Sequence, residues 1–158
     1  MFPSCTVSMK GCAFSSPPRN AMPPTFHRTL ARNLHSYFPV EEEVERFCAE
    51  HGLERAVSFK VRLILEELVL NLIDHATGSE TNRVDVRIEV DPSRVILMLE
   101  DDSAAFDPST APAFNKDKPL EERGPRGMGI HLVRSFAEDI AYDRIDGRNY
   151  LKVVIRRA

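Results

Sequence analysis

The 158-residue chain is long enough for one domain with a proper core, and its net charge of -3 leaves no basic footprint for binding nucleic acid. Hydrophobic residues make up 42%, an ordinary globular share, but no apolar run approaches the roughly 18–20 residues of a membrane span. Lys10 interrupts the stretch where a secretory signal needs continuous apolar sequence, and three cysteines (Cys5, Cys12, Cys48) at no metal-ligand spacing suit a reducing cytoplasm.

In chain order, residues 1–24 carry five of the eleven prolines and no periodicity, which predicts a disordered tail before a domain at 25–158. FHRTLARNL predicts a strand. From Val40 to His51, Val44, Phe47 and Cys48 recur at helical spacing until Gly52 stops the pattern, with Cys48 as a small core residue. Ser58 is the expected N-cap of a long helix reaching Ala76. NRVDVRIEV alternates as a half-buried strand does, Asp91-Pro92-Ser93 turns, and RVILMLED is a second, more apolar strand. Residues 103–127 hold four prolines and no regular pattern, long enough to be a functional loop. A helix at Gly129–Ala137 and two strands joined at DGRN complete the order. Strands that pair mostly antiparallel, with helices gathered on one face, predict an α+β two-layer sandwich around a mixed sheet.

The long helix has one apolar stripe, Val61, Leu65, Leu68 and Leu72, to meet the sheet. Arg62 and Glu66 stand four residues apart as a solvated pair. Glu67, Asn71, Asp74 and His75 make a further polar face, flanked by Leu63, Ile64, Leu68 and Leu70. One reading is partial exposure on two sides. The other is a polar pocket with apolar walls, in which a carboxylate accepts a proton and an amide oxygen ligates Mg²⁺.

Asp101 and Asp102 close the second strand, followed by small residues. A strand-end carboxylate there can accept a hydrogen bond from an amine on a flat ring, or it can simply be an acidic exit into the loop. Gly127-Met128-Gly129, preceded by Arg123 and Arg126, leads into a helix. Such a turn starts many helices with nothing bound, and it can also receive phosphate, because glycine lets backbone N–H groups approach an anion at a positive helix end. Together, in this order, the three features make a narrower signal than any of them alone.

With EELVLNLIDHA, Asp101, the 103–127 loop, RGMGIHLV and DGRNYLKVVI in place, residues 25–158 resemble the GHKL ATPase superfamily, with its Bergerat-type fold, and more closely its anti-sigma factor serine/threonine kinase branch. The resemblance implies a catalytic base at Glu67, a Mg²⁺ ligand at Asn71 and an adenine-binding aspartate at Asp101. It makes 103–127 the lid, with Arg126, Gly127, Met128 and Gly129 at the phosphates. Ser103 and Ala105 stand where the first glycine box usually has glycine-like residues, and Asn149 stands near a position often held by threonine. The implied cofactors are ATP and Mg²⁺. The implied activity is phosphorylation of a small STAS-type anti-sigma-factor antagonist in the cytoplasm, with a sigma factor as a further partner. The family often dimerises, and the sequence leaves the oligomeric state open. The alternative is a non-catalytic, nucleotide-responsive module that sequesters a sigma factor or antagonist. A detached histidine-kinase catalytic domain ranks third, because the chain carries no dimerisation helix with a phospho-acceptor histidine.

Overall fold

The computed structural model describes residues 21–110, 117, 119 and 125–158. The expected tail lies outside them up to residue 20. The elements run β1 (Thr25–Ala31), α1 (Leu34–Glu50), α2 (Arg55–His75), β2 (Arg83–Val90), β3 (Arg94–Asp101), α3 (Pro125–Phe136), β4 (Asp139–Ile145) and β5 (Arg148–Arg156). This is the order expected from the sequence. The five strands form one sheet in the order β1-β2-β3-β5-β4, and all four pairings are antiparallel. The sheet is therefore not mixed, because β5 returns between β3 and β4 and runs antiparallel to both.

Alternation sorts the sheet's two faces. Val84, Val86, Ile88, Val95, Leu97 and Leu99 are buried beneath the helices, and the residues between them are at most half-buried. On α2, Val61, Leu65 and Leu68 are buried as expected and Leu72 packs at the margin. Ile64 and Val69 are fully buried as well, so Ile64 belongs to the core and not to a pocket wall. Cys48 is a fully buried free thiol in α1. Each fully buried Leu or Val contributes about 1.5–3 kcal/mol through apolar area withdrawn from water.

The starts of α1 and α2 differ from expectation. Helix α1 begins at Leu34 and runs through Pro39, because the Asn33 side chain accepts from Ser36 N–H at 2.9 Å and Tyr37 is buried in the core. Cap and burial outweigh the one backbone hydrogen bond that Pro39 cannot donate. Helix α2 begins at Arg55 behind Glu54, which makes no side-chain cap, and Ser58 lies inside it with its N–H bonded to the Glu54 carbonyl. Arg62 is not paired with Glu66. It reaches Glu41 at 3.1 Å and Glu45 at 3.0 Å and ties α2 to α1.

The closing hairpin turns on Asp146 and Gly147, both at positive φ (49° and 78°) between the paired Ile145 and Arg148. Two consecutive left-handed residues are the two-residue turn that matches the twist of the strands, and Asp-Gly is a favoured sequence for it.

Candidate active site

Helix α2 carries Glu67 and Asn71 one turn apart, both half-buried, with Asp74 exposed beyond them. Burial pushes the Glu67 carboxyl pKa up, and the neighbouring Glu66 charge pushes it further. A carboxylate raised in this way is a stronger proton acceptor near neutral pH.

Helix α3 packs against α2 and brings Gly129 onto Glu67. A Cβ built on Gly129 would collide with Glu67 Oε2 and lie 3.2 Å from its Cδ. Gly129 therefore leaves the space that the Glu67 carboxylate occupies. The glycine segment also differs from the expected turn. The helix starts at Pro125, so Gly127, Met128 and Gly129 lie within it and the irregular loop ends before residue 125. Proline suits a first helical position, since its missing N–H would have no intrahelical acceptor there. By position, the N–H groups of Arg126 and Gly127 lack helical acceptors, whereas that of Gly129 belongs to the helical ladder. Arg123 and the middle of the expected lid (111–116, 118 and 120–124) lie outside the described residues. The loop's described start runs through Ser103 to a single 3-10 turn at Pro108–Thr110, where Arg134 of α3 donates to the Ser109 carbonyl.

At the end of β3, Asp101 is buried, and the backbone N–H of Ser103 donates to its Oδ1 at 2.8 Å. The Ser103 hydroxyl donates to the same oxygen, as does Asn149 Nδ2 at 3.2 Å. Among the described residues the hydrogen bonds to this carboxylate from Ser103 and Asn149 all end on Oδ1. Asn149 is the direct cross-strand partner of Asp101, which fixes its place in the closing hairpin. Ser103 is buried with its hydroxyl turned onto Asp101, and Ala105 is exposed. Neither small residue lays a bulky side chain beside the carboxylate.

Asp102 was not among the expected site residues, yet it holds the corner that joins the two halves of the site. It accepts from the Ser79 hydroxyl at 2.5 Å and from the N–H groups of Thr81 and Glu80 at 2.9 and 3.2 Å. These donors, the Ser79 hydroxyl first, pull its pKa down to about 2. Arg32 grips the same corner through the Ala76 carbonyl at 3.0 Å and Asn82 Oδ1 at 3.1 Å. Ala104 N–H closes it onto the Thr77 carbonyl at 2.7 Å. The end of α2 and the end of β3 are thereby held together. The serine, threonine and glycine content of residues 77–81 was the only sequence signal for this corner.

The site thus sets a half-buried carboxylate and amide on α2 beside the start of α3, with a buried carboxylate at the end of β3. A model of the histidine kinase-like ATPase domain matches residues 31–155. The chain belongs to that family. Its curated relatives are protein kinases. Serine/threonine-protein kinase BtrW of Bordetella bronchiseptica is 29% identical over 101 residues, covering 63% of this chain and 71% of BtrW. Serine-protein kinase RsbW of Bacillus mycoides is 21% identical over 95 residues, covering 58% of this chain and 59% of RsbW. The match therefore spans less than two thirds of RsbW. Among solved structures, the fold is shared with the SiaB–SiaC complex of Pseudomonas aeruginosa (TM-score 0.56, 11% identity, 83% of this chain and 89% of that one). It is also shared with a Mycobacterium tuberculosis protein carrying RsbU and RsbW domains (TM-score 0.55, 15% identity, 85% of this chain and 33% of that one). As a histidine kinase-like ATPase domain, the chain is of the GHKL type expected from its motifs. Among the described residues no helix is long and apolar enough to cross a membrane.

Proposed function

We propose that residues 25–158 form a cytoplasmic, ATP-dependent serine/threonine protein kinase that phosphorylates a STAS-type anti-sigma-factor antagonist. The observation that carries this reading is Glu67, a desolvated carboxylate on α2, seated against the glycine of a helix whose N-terminus is suited to phosphate. The kinase names of BtrW and RsbW support the reaction class, and the SiaB–SiaC complex supports a protein partner for this fold.

Bound MgATP supplies the phosphoryl group and the countercharge for its transfer. Asp101 Oδ2 accepts the hydrogen bond of the adenine amine while Oδ1 is held by Ser103 and Asn149. The N–H groups at the start of α3, including those of Arg126 and Gly127, meet the phosphates. Asn71 contributes its amide oxygen to Mg²⁺. Among the described residues no group of three or more His, Cys, Asp or Glu could hold a metal alone. A single amide oxygen as protein donor fits a cation that keeps water and phosphate oxygens as its other ligands, as Mg²⁺ does. Glu67 takes the proton of the attacking serine or threonine hydroxyl.

Thermal unfolding with and without nucleotide tests the binding half of this reading. Saturating MgATP or MgADP is expected to raise the melting temperature, reflecting about 2.7 kcal/mol at a hundredfold excess over Kd. Asp101→Asn should shrink the shift, because an amide can present a donor where an acceptor is needed. Absence of a shift at millimolar nucleotide, with a partner protein still bound tightly, would replace the kinase by a non-catalytic module that binds its partner without nucleotide.

A further inference from the structure

Asn149 lies between two sets of hydrogen-bonding groups of opposite kind. Its Nδ2 faces acceptors only: Asp101 Oδ1 at 3.2 Å, the Ser103 carbonyl at 3.1 Å, Ser103 Oγ at 3.4 Å and the Ala104 carbonyl at 3.3 Å. Its Oδ1 faces donors: the Tyr142 hydroxyl at 2.6 Å and Arg144 Nη1 at 2.6 Å. Arg144 Nη1 also donates to the Ser103 carbonyl at 2.9 Å, which binds β4 to the segment after Asp101. Asn149 is buried, so a flipped amide would set its oxygen against the Asp101 carboxylate and two carbonyls, with no water to compensate. Tyr142 and Arg144 hold the same orientation from the other side by donating to Oδ1. An aspartate at position 149 would oppose one carboxylate with another.

We infer that Tyr142 and Arg144 are positioning residues which, through Asn149, orient the Asp101 carboxylate and make the site selective for a nucleoside triphosphate whose base carries an exocyclic amine. This rests on the reading of Asp101 as the group that accepts from the base. With Ser103 and Asn149 holding Oδ1, Oδ2 keeps one direction. When the amide is released, Oδ1 keeps only its Ser103 donors and the carboxylate loses part of its aim at the amine, while the phosphate end of the site, built from α2 and α3, is unaffected.

The test compares ATP with ITP, which carries an oxygen in place of that amine, by calorimetric titration of the full chain in Mg²⁺. Wild-type protein is expected to prefer ATP by roughly ten- to a hundredfold, the range of a hydrogen bond to a charged group. In Tyr142→Phe/Arg144→Met that preference should fall to within about threefold, with ITP affinity changed less than twofold. Tyr142→Phe alone, which keeps the ring and should fold whatever the double variant does, should lower it about threefold. Restoring Tyr142 in the double variant should recover part of the preference. An unchanged ATP-to-ITP ratio in Tyr142→Phe and the double variant overturns the inference. So does an equal loss of affinity for both nucleotides, since that marks a purely structural role. Wild-type protein that binds both nucleotides equally overturns Asp101 as the base acceptor, and wild-type protein that binds neither overturns the nucleotide site itself; the inference falls with either.

Discussion

At the scale of single residues, the chemistry depends on what surrounds each carboxylate. Glu67 and Asp101 were legible as residue types in a particular order, because a carboxylate on an amphipathic helix and another at a strand end are local features. Ser103, two residues from Asp101, was legible beside it, whereas the contact of Glu67 with Gly129, far along the chain, was not. Gly129 shows the difference. Its sequence context pointed to phosphate, but its missing Cβ leaves room for Glu67. Gly129→Ala is therefore expected to displace the base, lowering phosphoryl transfer by about tenfold or more while ATP affinity changes little. Titration and turnover measured on the same preparation check this, and equal losses in both would return Gly129 to the phosphates. The rate should also depend on pH. Burial and Glu66 raise the Glu67 pKa, so the acid limb of the rate profile should lie above the ordinary glutamate range. Glu66→Gln removes the repelling charge and should move that limb to lower pH. A limb that does not move excludes Glu66 as a cause.

At the scale of elements, the strands were readable because each alternates within itself: Val84, Val86 and Ile88 against Asp85, Arg87 and Glu89 need no distant information. The Asp146–Gly147 turn was readable for the same reason. Helix starts were less so. Pro39 reads locally as a boundary, and only the Asn33 cap and the burial of Tyr37 carry α1 past it. The 77–82 corner was hidden because its organiser, Asp102, lies more than twenty residues away from the groups it accepts from. Its carboxyl is held at about 2 in the fold against an ordinary value of 3.8. A depressed acid contributes stability above its unfolded pKa, and that contribution is lost as pH falls from about 4 towards 2. Wild-type stability should therefore decline across that window more steeply than that of Asp102→Asn. Amide exchange at Glu80 and Thr81 should be faster in the variant at neutral pH. Matching acid profiles would show that Asp102 does not anchor the corner.

At the scale of the molecule, three helices on one face of an antiparallel sheet place the ends of α2 and β3 and the start of α3 around one site. The base and the aspartate are thirty-four positions apart, from 67 to 101, and the corner held by Asp102 and Arg32 joins the elements that carry them. In the proposed reading, the corner on one side and the glycine contact on the other let the two carboxylates take separate roles, Asp101 toward the adenine and Glu67 toward the hydroxyl. The central claim is that Glu67 acts as the base of a protein kinase, and the most direct measurement is phosphoryl transfer. Wild type and Glu67→Gln are incubated side by side with Mg²⁺, γ-labelled ATP and a STAS-type antagonist, with ATP affinity measured for each. Label on a serine or threonine of the antagonist, a drop of about 10²–10⁴-fold in Glu67→Gln, and unchanged ATP affinity are the predicted result. Transfer at the wild-type rate by Glu67→Gln would contradict it.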